Sequence, residues 1–385
     1  MNPSIPASKS TTEPLGLFAQ VQPGLEEILA DELRALGFAS VEAVPGGATF
    51  AGGWDEAMRA NLTSRGAGRV LVRIAAFRAP HLAQLDRRAR KVDWSCLAPG
   101  VAVRVEASCR KSRIYHDGAA AQRVAEALQA AGIPVSEDAA LLVSARIDDD
   151  LCTISVDTSG APLHKRGHKA DVGKAPMRET MAALFLRACG YDGTEPVLDP
   201  MCGSGTFVIE AAEIARGLAP GRDRAFAFTQ LAAFEADRWD AARAGLATAA
   251  HVPFTFTGSD RDAGAFARAR DNAERAGVGD ICTFEKRAVS EIQPPDGPPG
   301  LVIVNPPYGG RIGARKARKG QSLHPLYAAL GTALRERFEG WRVGLITTDP
   351  GLVKAAGLPW RNPGPWVAHG GLKVRLWQTD PLRRP

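Results

Sequence analysis

The sequence predicts an α/β protein, with a doubly wound, mainly parallel sheet in its C-terminal part and two smaller α+β modules ahead of it. Three observations predict this. From about Ala161 onward, β-like runs alternate with helix-periodic segments, the pattern of strands joined by crossover helices. Residues 69–158 instead read in the order βαβαββ, which places helices on one sheet. A chain of 385 residues also exceeds what one ordinary core organises. The resulting division is 1–68, 69–158 and 159–385.

The first module opens on an apolar strand, Leu17 to Val21. In the following PGLEEILADELRALG, Leu25, Ile28, Leu29, Leu33 and Leu36 fall at helical spacing between Pro23 and Gly37, a start and a stop signal. Short β-like runs at Val41 to Val44 and Ala48 to Phe50, then a helix from about Gly53 to Thr63, complete it. The second module begins with RVLVRIAAF, a strand by its alternating Val, Leu and Ile. A helix over His81 to Lys91, the strand VAVRVEAS, the basic turn CRKSRIYH, the helix AAAQRVAEALQAAG and the strands LLVSARI and LCTISVD follow. In the third part the strands are PVLD, FTFTGSD, ICTFE, GLVIVNPP, WRVGLITT and a late pair around Trp366 and LKVRLWQT. QPPDGPPG reads as a surface loop before a buried strand.

Hydrophobic residues at 45% and charged residues at 23% fit a soluble globular protein. No apolar run reaches the roughly 18 residues a membrane span requires. The leader MNPSIPASKSTTEPLG lacks the basic-then-apolar order of a secretion signal; a short disordered leader and a cytoplasmic location are expected. The net charge of +6 permits a polyanionic partner without requiring one. The six cysteines (Cys96, Cys109, Cys152, Cys189, Cys202 and Cys282) form no CxxC pair, which argues against a disulfide framework or zinc knuckle. His164 and His168 have a helical ligand spacing, but Gly167 interrupts it and no third ligand follows. No metal is expected.

Two motifs carry the chemistry. EPVLDPMCGSGT, Glu195 to Thr206, is a strand running into a glycine turn and then the helix FVIEAAEIARG. Gly203 and Gly205 let backbone approach a ligand closely, and the helix amino end offers free N–H groups. FTFTGSD then ends a second strand on Asp260, placed to accept from both hydroxyls of a ribose. A nicotinamide enzyme and a methyl-donor enzyme both use such a pair. GSGTFV lacks the third glycine of GxGxxG and no GKS or GKT occurs, which favours the methyl donor; a purely structural βα turn is the bland alternative. Asp199 would orient the turn or the donor's amino group. Asp262 opens the next helix, where it either caps or contacts ribose or adenine.

The second motif is LVIVNPPY, Leu301 to Tyr308. Four apolar residues make a buried strand, and the polar set stands at its carboxyl end, where ligands sit in open α/β sheets. Consecutive Pro306 and Pro307 remove donors and stiffen the carbonyls. An aromatic exocyclic amine is a poor nucleophile because its lone pair is delocalised. Accepting both its N–H hydrogens, through the Asn305 oxygen and the Pro306 carbonyl, favours a pyramidal nitrogen and stabilises its developing charge. Tyr308 would stack on the extruded base. Taken alone, NPPY also reads, less strongly, as a proline loop with a surface tyrosine.

Together DPMCGSGTFVIEAA and NPPYGGRIG resemble the class I S-adenosylmethionine-dependent methyltransferases that act on exocyclic amines. LFAQVQPGLEEILADELRALG resembles the ferredoxin-like region, and residues 70 to 158 the THUMP domain, of the bacterial 23S rRNA guanine-N2-methyltransferase family. LHKRGHKADVGKAPMRETMAALFLRACGY resembles that family's join into its catalytic domain, and APGRDRAFAF its stretch after the first catalytic helix. The resemblance implies a Rossmann-like methyltransferase domain over 159–385, behind a ferredoxin-like region over 1–68 and a THUMP RNA-binding domain over 69–158. It further implies S-adenosylmethionine as cofactor, guanine N2 as acceptor and structured RNA as partner, 23S rRNA before tRNA, with no membrane and no obligate protein partner. The donor site would be Asp199, Cys202, Gly203, Ser204, Gly205, Thr206, Asp260 and Asp262, and the catalytic loop Asn305, Pro306, Pro307 and Tyr308. Where the family often has an adenine-binding aspartate, this chain reads FEKRAVSEI, with Arg287 and Ala288. Some members carry a second methyltransferase domain; this chain is expected to perform a single reaction.

Three basic segments are candidate RNA contacts: Lys165, Arg166 and Lys169 at the join, RIGARKARKG with Arg311, Arg315 and Lys316, and CRKSR in the second module. They would contribute affinity and register, not base identity; a solvated loop is the bland reading of each. The alternatives to guanine-N2 methylation are the same loop acting on tRNA guanosine, adenine N6, DNA cytosine N4 or a protein glutamine, and a non-catalytic RNA-binding assembly factor.

Overall fold

A computed structural model of the chain describes residues 15–169, 177–246, 248, 251–307 and 322–384. In chain order the regular elements are β1 (Leu15–Gln20), α1 (Glu26–Ala35), β2 (Ala39–Val44), β3 (Gly47–Gly52), α2 (Trp54–Thr63), β4 (Arg69–Arg78), α3 (Leu82–Ala89), β5 (Val103–Arg110), α4 (Asp117–Ala130), β6 (Leu141–Asp148), β7 (Leu151–Asp157), α5 (Glu179–Ala188), β8 (Val197–Asp199), α6 (Thr206–Ala215), α7 (Ala236–Ala244), β9 (Phe256–Asp260), α8 (Ala263–Arg275), β10 (Cys282–Lys286), β11 (Leu301–Val304), α9 (His324–Arg337), β12 (Arg342–Thr347), α10 (Pro350–Ala356), β13 (Val367–His369) and β14 (Leu372–Gln378). Each strand expected from the sequence is present. The chain folds as two compact units, one holding Leu29–Leu163 and Pro220–Leu246 with β1, the other holding His164–Ala219 and the residues after 246 with Gln22–Ile28.

The first unit is built on one seven-stranded sheet in the order β2-β3-β1-β4-β7-β6-β5. Its first four strands follow the ferredoxin-like βαββαβ succession, for which β4 supplies the last strand. The same β4 continues past β1 and pairs antiparallel with β7 through Arg78. A line at 68/69 therefore crosses a sheet whose fourth strand serves both modules. A buried polar network ties them further. Asn61 on α2 donates to Thr158 Oγ1 (2.7 Å) and accepts from Ser159 Oγ (2.7 Å), while Thr158 Oγ1 donates to the Val70 carbonyl. Satisfied in this way, buried polar groups fix one arrangement instead of opposing burial.

Pro220–Leu246 also belongs to this unit, although the sequence division set it within 159–385. The physical reason is an aromatic cluster. Phe226 and Phe228 stack at 4.9 Å, and Trp239 meets both edge-on. Backbone bonds from Phe228 to Thr158 (3.1 Å), Gly221 to Leu62 (3.0 Å) and Ala232 to Cys96 (3.0 Å) seat the segment. Three aromatic rings bury more apolar surface here than polar loop residues of the same length could.

The second unit is a seven-stranded sheet in the order β10-β9-β8-β11-β12-β14-β13. β8 to β12 pair in parallel; β14 runs antiparallel to β12 and β13. The chain moves outward from β8 through β9 to β10, then returns to lay β11 on the other side of β8. That reversal makes a crevice at the carboxyl ends of β8 and β11, where open α/β sheets bind ligands. All four residues of β11 are buried, as a strand covered on both faces requires. Val302, Val304, Leu198, Val343 and Leu345 meet Tyr327, Leu330, Leu334, Leu352 and Val353 of α9 and α10 in one core.

Candidate active site

β8 carries the chain into the crevice and the glycines turn it. Gly203 (φ +53°) and Gly205 (φ +81°) are both left-handed, a region that a Cβ disfavours. The Gly205 N–H donates to the Cys202 carbonyl (2.8 Å) and Cys202 N–H to the Ser259 carbonyl (2.9 Å), closing the turn and pinning it to β9. The two glycines differ in surroundings. A Cβ at Gly205 would lie 3.0 Å from Ala269 Cβ and 3.2 Å from Phe284, whereas one at Gly203 would meet nothing within 4 Å. Gly205 is thus required by packing, and Gly203 faces open space, with the amino end of α6 following directly at Thr206. That end presents N–H groups without helical partners.

The acids surround this turn. Asp199 is 3% exposed and accepts from the Met201 N–H (3.0 Å). Burial pushes its carboxyl up to about 8; the Met201 hydrogen bond opposes the shift and the charge of Asp260 adds to it. Burial likewise holds the Cys202 thiol well above its ordinary range. Asp260, at the end of β9, accepts from Gly203 N–H (3.1 Å) through one oxygen and from Asp262 N–H (2.9 Å) through the other. A carboxylate has about four acceptor positions, so both oxygens retain capacity for a diol. Asp262 caps α8, its Oδ1 accepting from Gly264 N–H at 2.8 Å. Ser204 is fixed through its carbonyl by Asn272 (3.0 Å).

Asn305 and Pro306 follow β11, which pairs with β8 in the register Leu301↔Val197 and Val302↔Leu198. Parallel neighbours lie about 4.8 Å apart, so the glycine turn and the Asn-Pro-Pro loop leave adjacent strands at the same sheet edge. Asn305 Oδ1 is buried, and no hydrogen-bond donor reaches it among the described residues. An unsatisfied buried amide oxygen costs roughly 1–3 kcal/mol, which marks a position where an incoming N–H is favoured. The Pro307 carbonyl lies 3.3 Å from the hydroxyl of Tyr327, itself 3.3 Å from Thr347 Oγ1. Tyr308, Arg311, Arg315 and Lys316 lie outside the described residues.

The join separates its cations. Lys165 is exposed, but Arg166 is 4% exposed and pairs with Glu210 (2.9 Å) and Glu213 (3.6 Å) of α6. Lys169 pairs with Glu179 at 3.0 Å, both side chains 7% exposed, and donates to Thr206 Oγ1 at 2.8 Å. Burial draws its ammonium below the ordinary lysine range, with Glu179 opposing. The expectation that Arg166 and Lys169 contact RNA phosphates is therefore corrected: both are internal, held by carboxylates that polar solvent does not reach. Sequence reasoning missed Tyr327, Asn272 and the Lys169–Thr206 contact as supports of the site. Each acts across 20 or more residues of chain, and no local pattern announces it.

Residues 166–362 match the model of the RMKL-like methyltransferase domain, and residues 16–71 that of the RlmL ferredoxin-like domain. The chain is 37% identical over 95% of its length to the "Ribosomal RNA large subunit methyltransferase K/L" of Syntrophotalea carbinolica, spanning about half (54%) of that longer protein. It is 32% identical over 98% of its length to a protein of Synechocystis sp. named as a candidate RNA methyltransferase, of which it covers 99%. A crystal structure of SMU.472, described as a candidate methyltransferase complexed with SAH, superposes with a TM-score of 0.85 at 26% identity, over 97% of this chain and 100% of that one. The glycine turn and Asn-Pro-Pro loop on neighbouring strands both fall inside the first match, and the chain belongs to the RMKL-like methyltransferase family.

Proposed function

We propose that the chain transfers a methyl group from S-adenosylmethionine to the exocyclic N2 amine of a guanosine in 23S ribosomal RNA. The observation that carries this reading is the Asn305 amide oxygen, buried and without a donor among the described residues, on the strand beside the glycine turn. The donor suits the residues present: open space over Gly203, the amino end of α6, and the carboxylate of Asp260. Asp199, Cys202, Gly203, Ser204, Gly205, Thr206, Asp260 and Asp262 would hold it. When bound, S-adenosylmethionine supplies an electrophilic methyl group.

The chain's own residues prepare the acceptor. Asn305 Oδ1 and the Pro306 carbonyl accept the two N–H hydrogens of the amine, withdrawing its lone pair from the ring and stabilising the charge that builds on nitrogen. Tyr327, held in the core, keeps the loop in place through Pro307. Removing this orientation raises the barrier by several kcal/mol, since an aromatic amine is not otherwise nucleophilic. A base reaches such a loop only outside its stack, where Tyr308 is its proposed partner. Lys165, Arg311, Arg315 and Lys316 are proposed phosphate contacts, and residues 69–158 are read as a THUMP RNA-binding domain between the ferredoxin-like region and the methyltransferase domain of 159–385. The names of the ribosomal relatives support large-subunit rRNA as substrate, and a cytoplasmic location belongs to the same proposal.

Asn305→Ala tests the reading. Methyl transfer to 23S rRNA is expected to fall at least about 100-fold, with S-adenosylhomocysteine binding by calorimetry near wild type. Mass spectrometry of nucleosides identifies the product: N2-methylguanosine in 23S rRNA is expected. The same product in tRNA, or N6-methyladenosine, would replace the substrate assignment and leave the loop's chemistry standing.

A further inference from the structure

In the first unit the register between β1 and β4 ends at Arg73, while β4 continues to pair with β7 as far as Arg78. Among the described residues, positions 75–77 therefore have a strand partner on one side only, and the ladder slips at Ile74, between Arg73 and Ala75. Next to this open edge lies the carboxyl end of α3. Between them runs a groove of about 550 Å³, walled by Ile74, Ala75 and Phe77 of β4 and by Arg87, Arg88 and Lys91. All three cations are exposed, and none of their side chains has a hydrogen bond or ion pair among the described residues. Their neighbour Arg90 is different, being paired with Asp86 at 3.1 Å. The single acid in the wall, Asp93, has its carboxylate engaged by the Ser95 N–H at 3.0 Å.

Cations in a last helical turn complement the helix dipole, which accounts for Arg87 and Arg88 on any helix. It does not account for their sharing a concavity with Lys91, a half-buried ring and a strand that has no second partner among the described residues. A sheet edge contributes N–H donors to an anion, Phe77 offers an apolar face to a sugar or base, and three cations against the single carboxylate of Asp93 leave the wall with a net positive charge. We propose that this groove holds the sugar-phosphate backbone of the RNA substrate, a contact additional to the Asn305 loop. It rests on the reading that the substrate is RNA.

The test uses the full chain and an in vitro transcript of 23S rRNA, with affinity measured between about 50 and 200 mM salt. Arg87→Ala/Arg88→Ala/Lys91→Ala is expected to weaken binding at least tenfold at the low end. The slope of log affinity against log salt should fall by about 2–3, slightly under one for each phosphate that is no longer neutralised. Calorimetric S-adenosylhomocysteine binding should stay at the wild-type value, and replacing the two arginines by lysine should keep the slope. Should the triple variant misfold, Arg88→Glu alone decides by the same slope. Wild type that binds the transcript while the variants match its slope and affinity overturns the groove alone. Wild type that binds no RNA overturns the RNA reading and the groove with it.

Discussion

Asp199 has almost no contact with water, and its side-chain carboxyl accepts from the Met201 N–H. Its carboxyl is raised to about 8 by burial, against roughly 3.9 in an unfolded chain. With the folded value the higher, its contribution to stability is complete below about pH 4 and is lost as pH rises towards 8. Asp199→Asn keeps the acceptor for Met201 and removes the ionisation. The variant should therefore gain about 1–3 kcal/mol over wild type at pH 8 and nothing at pH 4, read from urea unfolding at the two pH values. A wild type equally favoured at both pH values would show that the carboxyl ionises freely. Lys169 presents the opposite case. Lys169→Met leaves Glu179 buried and unpaired, a loss of about 3–5 kcal/mol, whereas Lys169→Met/Glu179→Leu should regain most of it. If the single and double variants were equally unstable, the ammonium would be acting through Thr206 instead of through its ion pair.

Helices and strands differ in how openly the sequence declares them. β11 announced itself, because four consecutive apolar residues end on Asn305 and a strand buried on both faces admits little else. The glycine turn was equally open to reading: Gly203 and Gly205 stand at the two positions where φ is positive. Side-chain neighbours far along the chain were not. Nothing in KRGHK says that Arg166 will be enclosed between Glu210 and Glu213, since a basic run before a domain reads as exposed until the fold wraps it. The contact between α9 and α10 was hidden for the same reason. A Cβ at Gly331 would lie 1.7 Å from the Ala356 carbonyl oxygen, so the helices touch backbone to backbone at a glycine that helical periodicity alone would count as a weak point. Gly331→Ala, stabilising by about 1 kcal/mol on an isolated helix, should here cost about 1–3 kcal/mol through overpacking. Thermal melts of the full chain give the sign, and a raised melting temperature would mean that the two helices separate at little cost.

At the scale of the whole molecule, the order of modules along the chain and the grouping of residues in space are different things. Reading linearly, 159–385 is the catalytic part, and its stretch APGRDRAFAF is an ordinary connection after a helix. In space Pro220–Leu246 is part of the first unit's core, with Phe226, Phe228 and Trp239 all at most 9% exposed. Their surroundings come from residues before 159: Leu97 bridges to Leu231, and Asp55 pairs with Arg238 at 2.6 Å. A fragment of 159–385 keeps every motif of the glycine turn and the Asn-Pro-Pro loop, yet leaves this cluster without its partners. Full burial of an aromatic or aliphatic side chain is worth about 1.5–3 kcal/mol, so three such rings exposed together make a patch that promotes association. Expressed alone, 159–385 should therefore bind the apolar dye ANS strongly and elute as aggregates, while the full chain does neither. Substituting Phe226, Phe228 and Trp239 by serine in the fragment should restore solubility, and the same substitutions should destabilise the full chain by more than about 5 kcal/mol, each ring contributing about 3–5. A monodisperse fragment with all three aromatics in place would mean that the segment folds back on the catalytic sheet when its own partners are missing.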